Sequence, residues 1–194
     1  MSAPSRLNLV FPPSHPSSTS LAEVLRQQGF AWRAAKHSDL AFLRTLYEAL
    51  RADELASLEW PEATRQAFLD SQFAFQHHHF TTHFERAEFL VLEHRGDPVG
   101  RLYLLREPPR WLIVDVALLP AWQGQGIGTT LLRQLQRDAL DARTQGLALH
   151  VRRDNPRAQA LYARLGFRDE SVEGMHSLMH WDVPSAVAQL KSLS

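Results

Sequence analysis

The hydrophobic positions of this chain change period several times, and each change marks an element. Residues 30–35 and 89–93 are short strand-forming runs. Between them Leu40, Leu43, Leu46, Tyr47 and Leu50 recur at spacings of three and four, one face of an amphipathic helix that Ser38 or Asp39 can cap. Pro61 opens a second helix, carried through Phe68, Phe75 and Phe80. The turn Arg95-Gly96-Asp97-Pro98 joins the strand at 89–93 to one at 99–105, which makes a hairpin. Pro108-Pro109 breaks that run, and residues 111–119 form the next strand, ended by Pro120.

The second half is more regular. Ile127, Leu131, Leu132, Leu135, Ala139 and Leu140 stripe a helix over 126–143. A short buried strand follows at 147–151. Asn155-Pro156 is a helix cap followed by a first-turn proline, Ala158, Leu161, Tyr162 and Leu165 form the stripe behind it, and Gly166 ends it. Residues 167–172 and 177–181 supply two closing strands. Strand–helix–strand–helix–strand after a meander predicts an α/β domain around a central mixed sheet.

Composition narrows the class. The chain has 194 residues, suited to one domain, and its 44% hydrophobic and 22% charged content excludes a disordered or fibrous protein. Lys+Arg and Asp+Glu both number 21, so no global basic excess is available to hold nucleic acid. The absence of cysteine removes disulfides, thiolate metal sites and a cysteine nucleophile. No run approaches the roughly 20 apolar residues that span a bilayer, and the start of the chain does not match a secretory signal, so a cytoplasmic location without a membrane partner is expected. Ser and Pro make up ten of the first 20 residues. The expected organisation is a mobile arm over 1–28, a domain over 29–183 and a tail over 184–194, with Leu21 to Gln28 able to add a helical turn or two.

One segment carries chemistry. In Leu118-Leu119-Pro120-Ala121-Trp122-Gln123-Gly124-Gln125-Gly126-Ile127-Gly128-Thr129 a strand ends, a glycine-rich turn follows and a helix begins at once. The alternate glycines allow a tight bend and close approach of a ligand, while unsatisfied N–H groups and the helix dipole make the helix start an anion site. A plain packing turn is the competing reading. The segment lacks the Gly-Lys-Ser/Thr of a Walker loop, and its G-x-G-x-G spacing is not the G-x-G-x-x-G of a dinucleotide fold.

Gln123 to Gly128, with Thr129-Thr130-Leu131-Leu132 behind them, resemble the Q/R-x-x-G-x-G/A signature of the GNAT family of N-acetyltransferases. Asn155-Pro156-Arg157-Ala158, Leu161-Tyr162 and Leu165-Gly166-Phe167 resemble that family's second cofactor motif. The resemblance is strongest over residues 113–168. It implies a single-domain fold whose mixed sheet, flanked by helices, has a V-shaped split between the fourth and fifth strands that receives acetyl-CoA. By that resemblance the amides from Gln125 to Thr129, with Gly124, Gly126, Ile127 and Gly128, hold the pyrophosphate, and the backbone near Leu118 meets the pantetheine arm. Asn155 touches the cofactor besides capping its helix, and Tyr162 is the acid beside the thioester sulfur. Gln123 replaces an arginine found in many members. Arg152, Arg153 and Arg157 are candidates for the ribose 3′-phosphate.

The acceptor side is less defined. An oxyanion donor is expected from a backbone N–H near Leu118 or Leu119. Asp115 interrupts the apolar run 112–118 and is either a general base or one half of an ion pair that orders the site. Arg51 and Glu54 can face the acceptor pocket or solvent. Trp60, Gln72, Phe73 and Gln76 are expected among the acceptor contacts. The spacing of Arg51, Glu54, Trp60-Pro61, Gln72-Phe73 and Gln76 resembles a bacterial subgroup of the family and implies no particular acceptor. His77-His78-His79 with His83 lacks a metal-site arrangement and reads as a polar helix surface; no metal is expected. The implied activity is direct acetyl transfer to a primary amine of a small molecule or peptide, by a protein that can form a homodimer. The alternative is a CoA-binding sensor or interaction module without catalysis.

Overall fold

A computed structural model of the protein describes residues 9–13, 19–56 and 58–184. A short helix α1 (Glu23–Gln27) leads into strand β1 (Phe30–Ala34). A 3-10 turn at His37–Asp39 starts helix α2 (Leu40–Ala56), and Pro61 precedes helix α3 (Glu62–His83). Strands β2 (Glu88–His94), β3 (Asp97–Leu105) and β4 (Trp111–Leu118) form the meander. Helix α4 (Ile127–Asp141), β5 (Gly146–Arg152), helix α5 (Pro156–Arg164), β6 (Arg168–Glu173) and β7 (His176–Asp182) complete the chain. The seven strands make one mixed sheet in the order β1-β2-β3-β4-β5-β7-β6, in which only β4 and β5 run parallel.

The sheet separates two helical layers. On one face α4 and α5 bury Leu132, Leu135, Ala139, Tyr162 and Leu165 against Leu102, Ile113 and Leu149. On the other, α2 and α3 cover Phe89, Val91 and Tyr103 with Phe42, Phe80 and Phe84. At roughly 2 kcal/mol for each large side chain buried, these two layers supply the main driving force for folding.

Helix phase decides which aromatics enter that core. The buried stripe of α3 is Leu69, Phe73 and His77, an i, i+4 series. Phe75 stands two residues from both Phe73 and His77, about 200° around the helix, and is 60% exposed instead of lining the core. On α2, Leu43, Leu46 and Tyr47 are buried, whereas Leu50 is exposed.

The packed chain also reaches further toward the N-terminus than a boundary at residue 29. Ala22 and Leu25 are buried, Leu25 against Phe30 and Leu131, and Leu9 and Phe11 lie on the α2–α3 layer. Thr19 joins Glu88 and Arg106, and Ser20 joins Asp138 and Gln134. The remainder of the expected arm, residues 1–8 and 14–18, and positions 185–194 of the expected tail lie outside the described residues.

Two features open the sheet. β4 pairs with β5 only at Trp111, Leu112 and Ile113, opposite Leu147, Ala148 and Leu149. β4 then runs on to Leu118 without β5 beside it, which is the V-shaped split. Immediately past the last pair, the β3–β4 register shifts between Tyr103 and Leu104, opposite Asp115 and Ile113, so that Val114 is the extra residue of a bulge. A bulge re-aims the side chains that follow it. Here Val114 packs on the α2–α3 face, and Asp115, opposite Tyr103, shares that face.

Candidate active site

The loop at the end of β4 is built to present main-chain donors. Gly124 and Gly126 have φ of 76° and 79°, the left-handed region that costs an L side chain roughly 1–2 kcal/mol. An added Cβ at Gly126 would meet nothing within 4 Å, so this glycine is required by its dihedral angle. Trp122 and Gln123 donate back to Leu119 and Pro120, and the first helical bond runs from Thr130 to Gly126. The N–H groups of 124–129 between them have no main-chain partner among the described residues. They open at the start of a 15-residue helix, where its dipole is positive. A pyrophosphate fits this donor set and the space the glycines leave.

The side chains expected around this loop are arranged unequally. Gln123 Nε2 donates to the Leu118 carbonyl at 2.9 Å, and Gln125 Nε2 donates to Ala121 at 2.6 Å. Both side chains therefore brace the loop. Arg157 reaches over it from α5: Nη1 is 3.4 Å from Gln123 Oε1, and Nη2 would sit 3.4 Å from a Cβ on Gly124. Asn155 caps α5 by accepting from the Ala158 amide at 3.0 Å. Arg152 is engaged elsewhere, donating to Asp154 at 2.9 Å and to Glu54 at 3.3 Å. These two carboxylates direct it away from a phosphate role.

Strand pairing sorts the two oxyanion candidates. Leu119 N–H donates to Val99 on β3 at 2.9 Å and is consumed. Antiparallel ladders alternate the direction of successive main-chain groups. Leu118, opposite Gly100, therefore turns its N–H toward the split.

Tyr162 projects from α5 into the core layer that also holds Ile113 and Leu149. It is buried, packs on Phe167, and its hydroxyl has no hydrogen bond among the described residues. Burial, reinforced by the charge of Asp115, pushes its phenol up to about 12. The proton stays on the oxygen at neutral pH.

Across the sheet lies a polar group in which Arg101 joins Asp115 and Gln76, the two members singled out from the sequence. Arg101, 4% exposed, donates from Nε to Asp115 Oδ2 at 2.5 Å and from Nη2 to Gln76 Oε1 at 2.9 Å. Asp115 is thus one half of an ion pair with Arg101. Gln76 reaches the site through Arg101. Phe73 is buried between Tyr47 and His77. Gln72 is half-buried on the same helix. Trp60 is exposed and packs edge-on against Phe68. Arg51 stacks over the Tyr47 ring at 4.6 Å and reaches Glu54 at 3.2 Å. Glu54 in turn contacts Arg152, so the end of α2 meets the end of β5. His77 is not surface but core, 2% exposed, edge-on to Phe11, with Nε2 unpartnered among the described residues. Burial and the nearby Arg101 charge lower its pKa to about 4.

This split sheet and amide-lined loop define an acetyltransferase architecture. The model of the acetyltransferase (GNAT) family matches residues 44–167, and the chain belongs to that family. It is similar to the N-alpha-acetyltransferase RimI of Mycobacterium tuberculosis, 34% identical over 111 residues that cover 56% of this chain and 61% of the relative. It is also similar to a mycothiol acetyltransferase of Catenulispora acidiphila, 37% identical over 84 residues, 43% of this chain and 23% of the relative. The chain thus spans less than two thirds of the length of both relatives. Its fold is similar to that of PaiA N-acetyltransferase from Thermoplasma acidophilum in complex with coenzyme A, with a TM-score of 0.61 at 18% identity, covering 79% of this chain and 99% of the other.

Proposed function

We propose that the protein transfers the acetyl group of acetyl-CoA directly to a primary amine of a small molecule or peptide. The observation that carries this is the row of unpaired amides at 124–129, with a buried, protonated Tyr162 on the helix whose Leu161 lies next to Gly128. Acetyl-CoA supplies the thioester. Gly124, Gln125, Gly126, Ile127, Gly128 and Thr129 hold its diphosphate through main-chain N–H groups and the α4 dipole, and Arg157 adds the positive charge at the loop. Asn155 fixes the α5 start that carries Arg157. Gln123 is the brace of the loop and not a charged phosphate ligand. In this reading the Leu118 N–H, turned toward the split, stabilises the carbonyl oxygen as it gains negative charge.

Tyr162 serves the sulfur. A thiol titrates near 8.5 and this phenol near 12. Complete proton transfer to a thiolate is therefore uphill by about 3.5 units, roughly 5 kcal/mol. The role that fits is a hydrogen bond to the departing thiolate, with the final proton coming from water. No cysteine exists to carry an acetyl group, so the amine attacks in a ternary complex. Arg51, Glu54 and Gln72 border the acceptor entrance in this reading. The site belongs to a protein of the cytoplasm that works without a metal.

The test is a screen of amines and amino-terminal peptides with acetyl-CoA, reading free CoA. Acceptor-dependent release that falls in Tyr162→Phe establishes the enzyme. CoA binding with no acceptor-dependent release, and no effect of that substitution, establishes a binding module instead.

A further inference from the structure

The glycine loop is seated on a cluster that the N-terminal segment completes. Leu118, the last residue of β4, and Ile127, the first of α4, are both buried in one cluster with Leu25, Phe30 and Leu131. Between these two ends of the loop, Trp122 packs on the same cluster. Its ring stands edge-on to Phe30 at 5.5 Å and lies 4.6 Å from the ring of His94. Phe30 and His94 are partners in the β1–β2 register, with ring centroids 4.8 Å apart. Three rings, from the start of β1, the end of β2 and the loop, therefore close on one another. Further along α4, Leu25 packs with Leu131, and Ser20 Oγ donates to Asp138 Oδ1 at 2.7 Å. Residues 20–30 thus pass along α4 and end at Trp122. All of them precede residue 44, where the family match begins.

Resting on the acetyltransfer reading above, we propose that Trp122, clamped by Phe30 and His94, is a positioning residue for the diphosphate of CoA, and that residues 20–30 set cofactor affinity without touching the cofactor. The Gln123 and Gln125 side chains tie the loop to itself and to the end of β4. Trp122 ties it to β1 and β2. A loop with two left-handed glycines has many conformations open to it when nothing holds it. Conformational freedom given up at the moment of binding weakens the complex. A loop ordered during folding instead presents its N–H groups already aimed. An indole suits the clamp because it makes a large contact with only two rotatable bonds to immobilise.

The test titrates the full chain with CoA by calorimetry and reads the backbone amide order parameters of residues 124–128 by NMR relaxation before CoA is added. Trp122→Leu keeps every main-chain donor of the loop and removes the clamp. The expected result is CoA binding weaker by about tenfold, with order parameters that fall from about 0.85 to below about 0.6 in the loop alone. Trp122→Phe restores most of both. Because Trp122→Leu can fail to fold, Phe30→Leu carries the claim separately from outside the loop, with an expected loss of about threefold in affinity. Phe89→Leu, in the layer on the other face of the sheet, controls for general destabilisation: it lowers the melting temperature and leaves CoA affinity and loop order unchanged. Unchanged CoA affinity in either Trp122→Leu or Phe30→Leu, or a loss that Phe89→Leu reproduces, overturns the proposal. A loss of affinity without a loss of loop order places Trp122 on the cofactor itself and overturns it as well. Absence of CoA binding by the unmodified protein ends the acetyltransfer reading together with this one, whereas CoA binding indifferent to Trp122 and Phe30 ends this one alone.

Discussion

Gln123 Nε2 donates to the carbonyl of Leu118 at 2.9 Å, tying the loop to the last residue of β4. The bond uses the amide where many family members place an arginine, and it leaves Oε1 facing Arg157 at 3.4 Å. The arginine of the second motif thus lies over the loop of the first.

Arg157→Ala is expected to weaken CoA binding about five- to twentyfold, the loss of one charge-assisted contact. Comparing CoA with 3′-dephospho-CoA by calorimetry locates that contact. An equal loss for both ligands places Arg157 on the diphosphate, beside Gly124; a loss confined to CoA places it on the ribose 3′-phosphate and sinks the assignment made here.

Gly126→Ala separates conformation from space. Nothing within 4 Å would meet the new methyl, but φ at this position is 79°. The expected result is a stability loss of about 1–2 kcal/mol by denaturant titration, with weaker CoA binding as the amide row shifts. A variant as stable as the parent would show that the loop does not need this dihedral angle.

The loop, the α5 cap and the succession of elements in the second half were legible because local rules fix them. Three glycines after a strand, and Asn-Pro before an apolar stripe, specify their geometry within a few residues. The acceptor side was not, because it depends on register. Asp115 was visible as a charge in an apolar run, and Arg101 carried the same signal one strand earlier. Pairing them required the bulge at Val114, which leaves no mark in composition. The histidine run misled for a similar reason. Its polar composition suggests a surface, but the phase set by Leu69 and Phe73 turns His77 inward.

That inward histidine predicts acid sensitivity. The His77 pKa is lowered to about 4, chiefly by burial and then by Arg101, against about 6.5 in an unfolded chain. A depressed histidine leaves stability intact above pH 6.5 and removes it as pH falls from 6.5 through 4, because the unfolded state binds the proton more tightly. The displacement of about 2.5 units corresponds to roughly 3 kcal/mol. Asp39 acts lower. Burial opposes its charge, but hydrogen bonds from Arg33 and the Lys36 amide prevail and hold its carboxyl below the usual range. His77→Leu is expected to flatten denaturation midpoints between pH 6.5 and 4 while leaving the loss at still lower pH. An unchanged slope in the upper window would show that another group titrates there.

Tyr162→Phe keeps the ring that packs on Phe167 and removes only the hydroxyl. If the hydroxyl supports the departing thiolate by one strong hydrogen bond, acetyl-CoA turnover falls about ten- to a hundredfold, with little change in CoA affinity or melting temperature. The pH profile adds an independent check. A phenol at about 12 is protonated throughout the range from pH 7 to 10, so Tyr162 imposes no alkaline decline there. The rate instead rises with pH as the acceptor amine loses its proton and then levels off, and Tyr162→Phe lowers the curve without moving its midpoint. A decline below pH 10 that disappears in Tyr162→Phe would mean that the phenol ionises within the working range. The burial and the Asp115 charge that hold its proton would then not be the forces that set its chemistry.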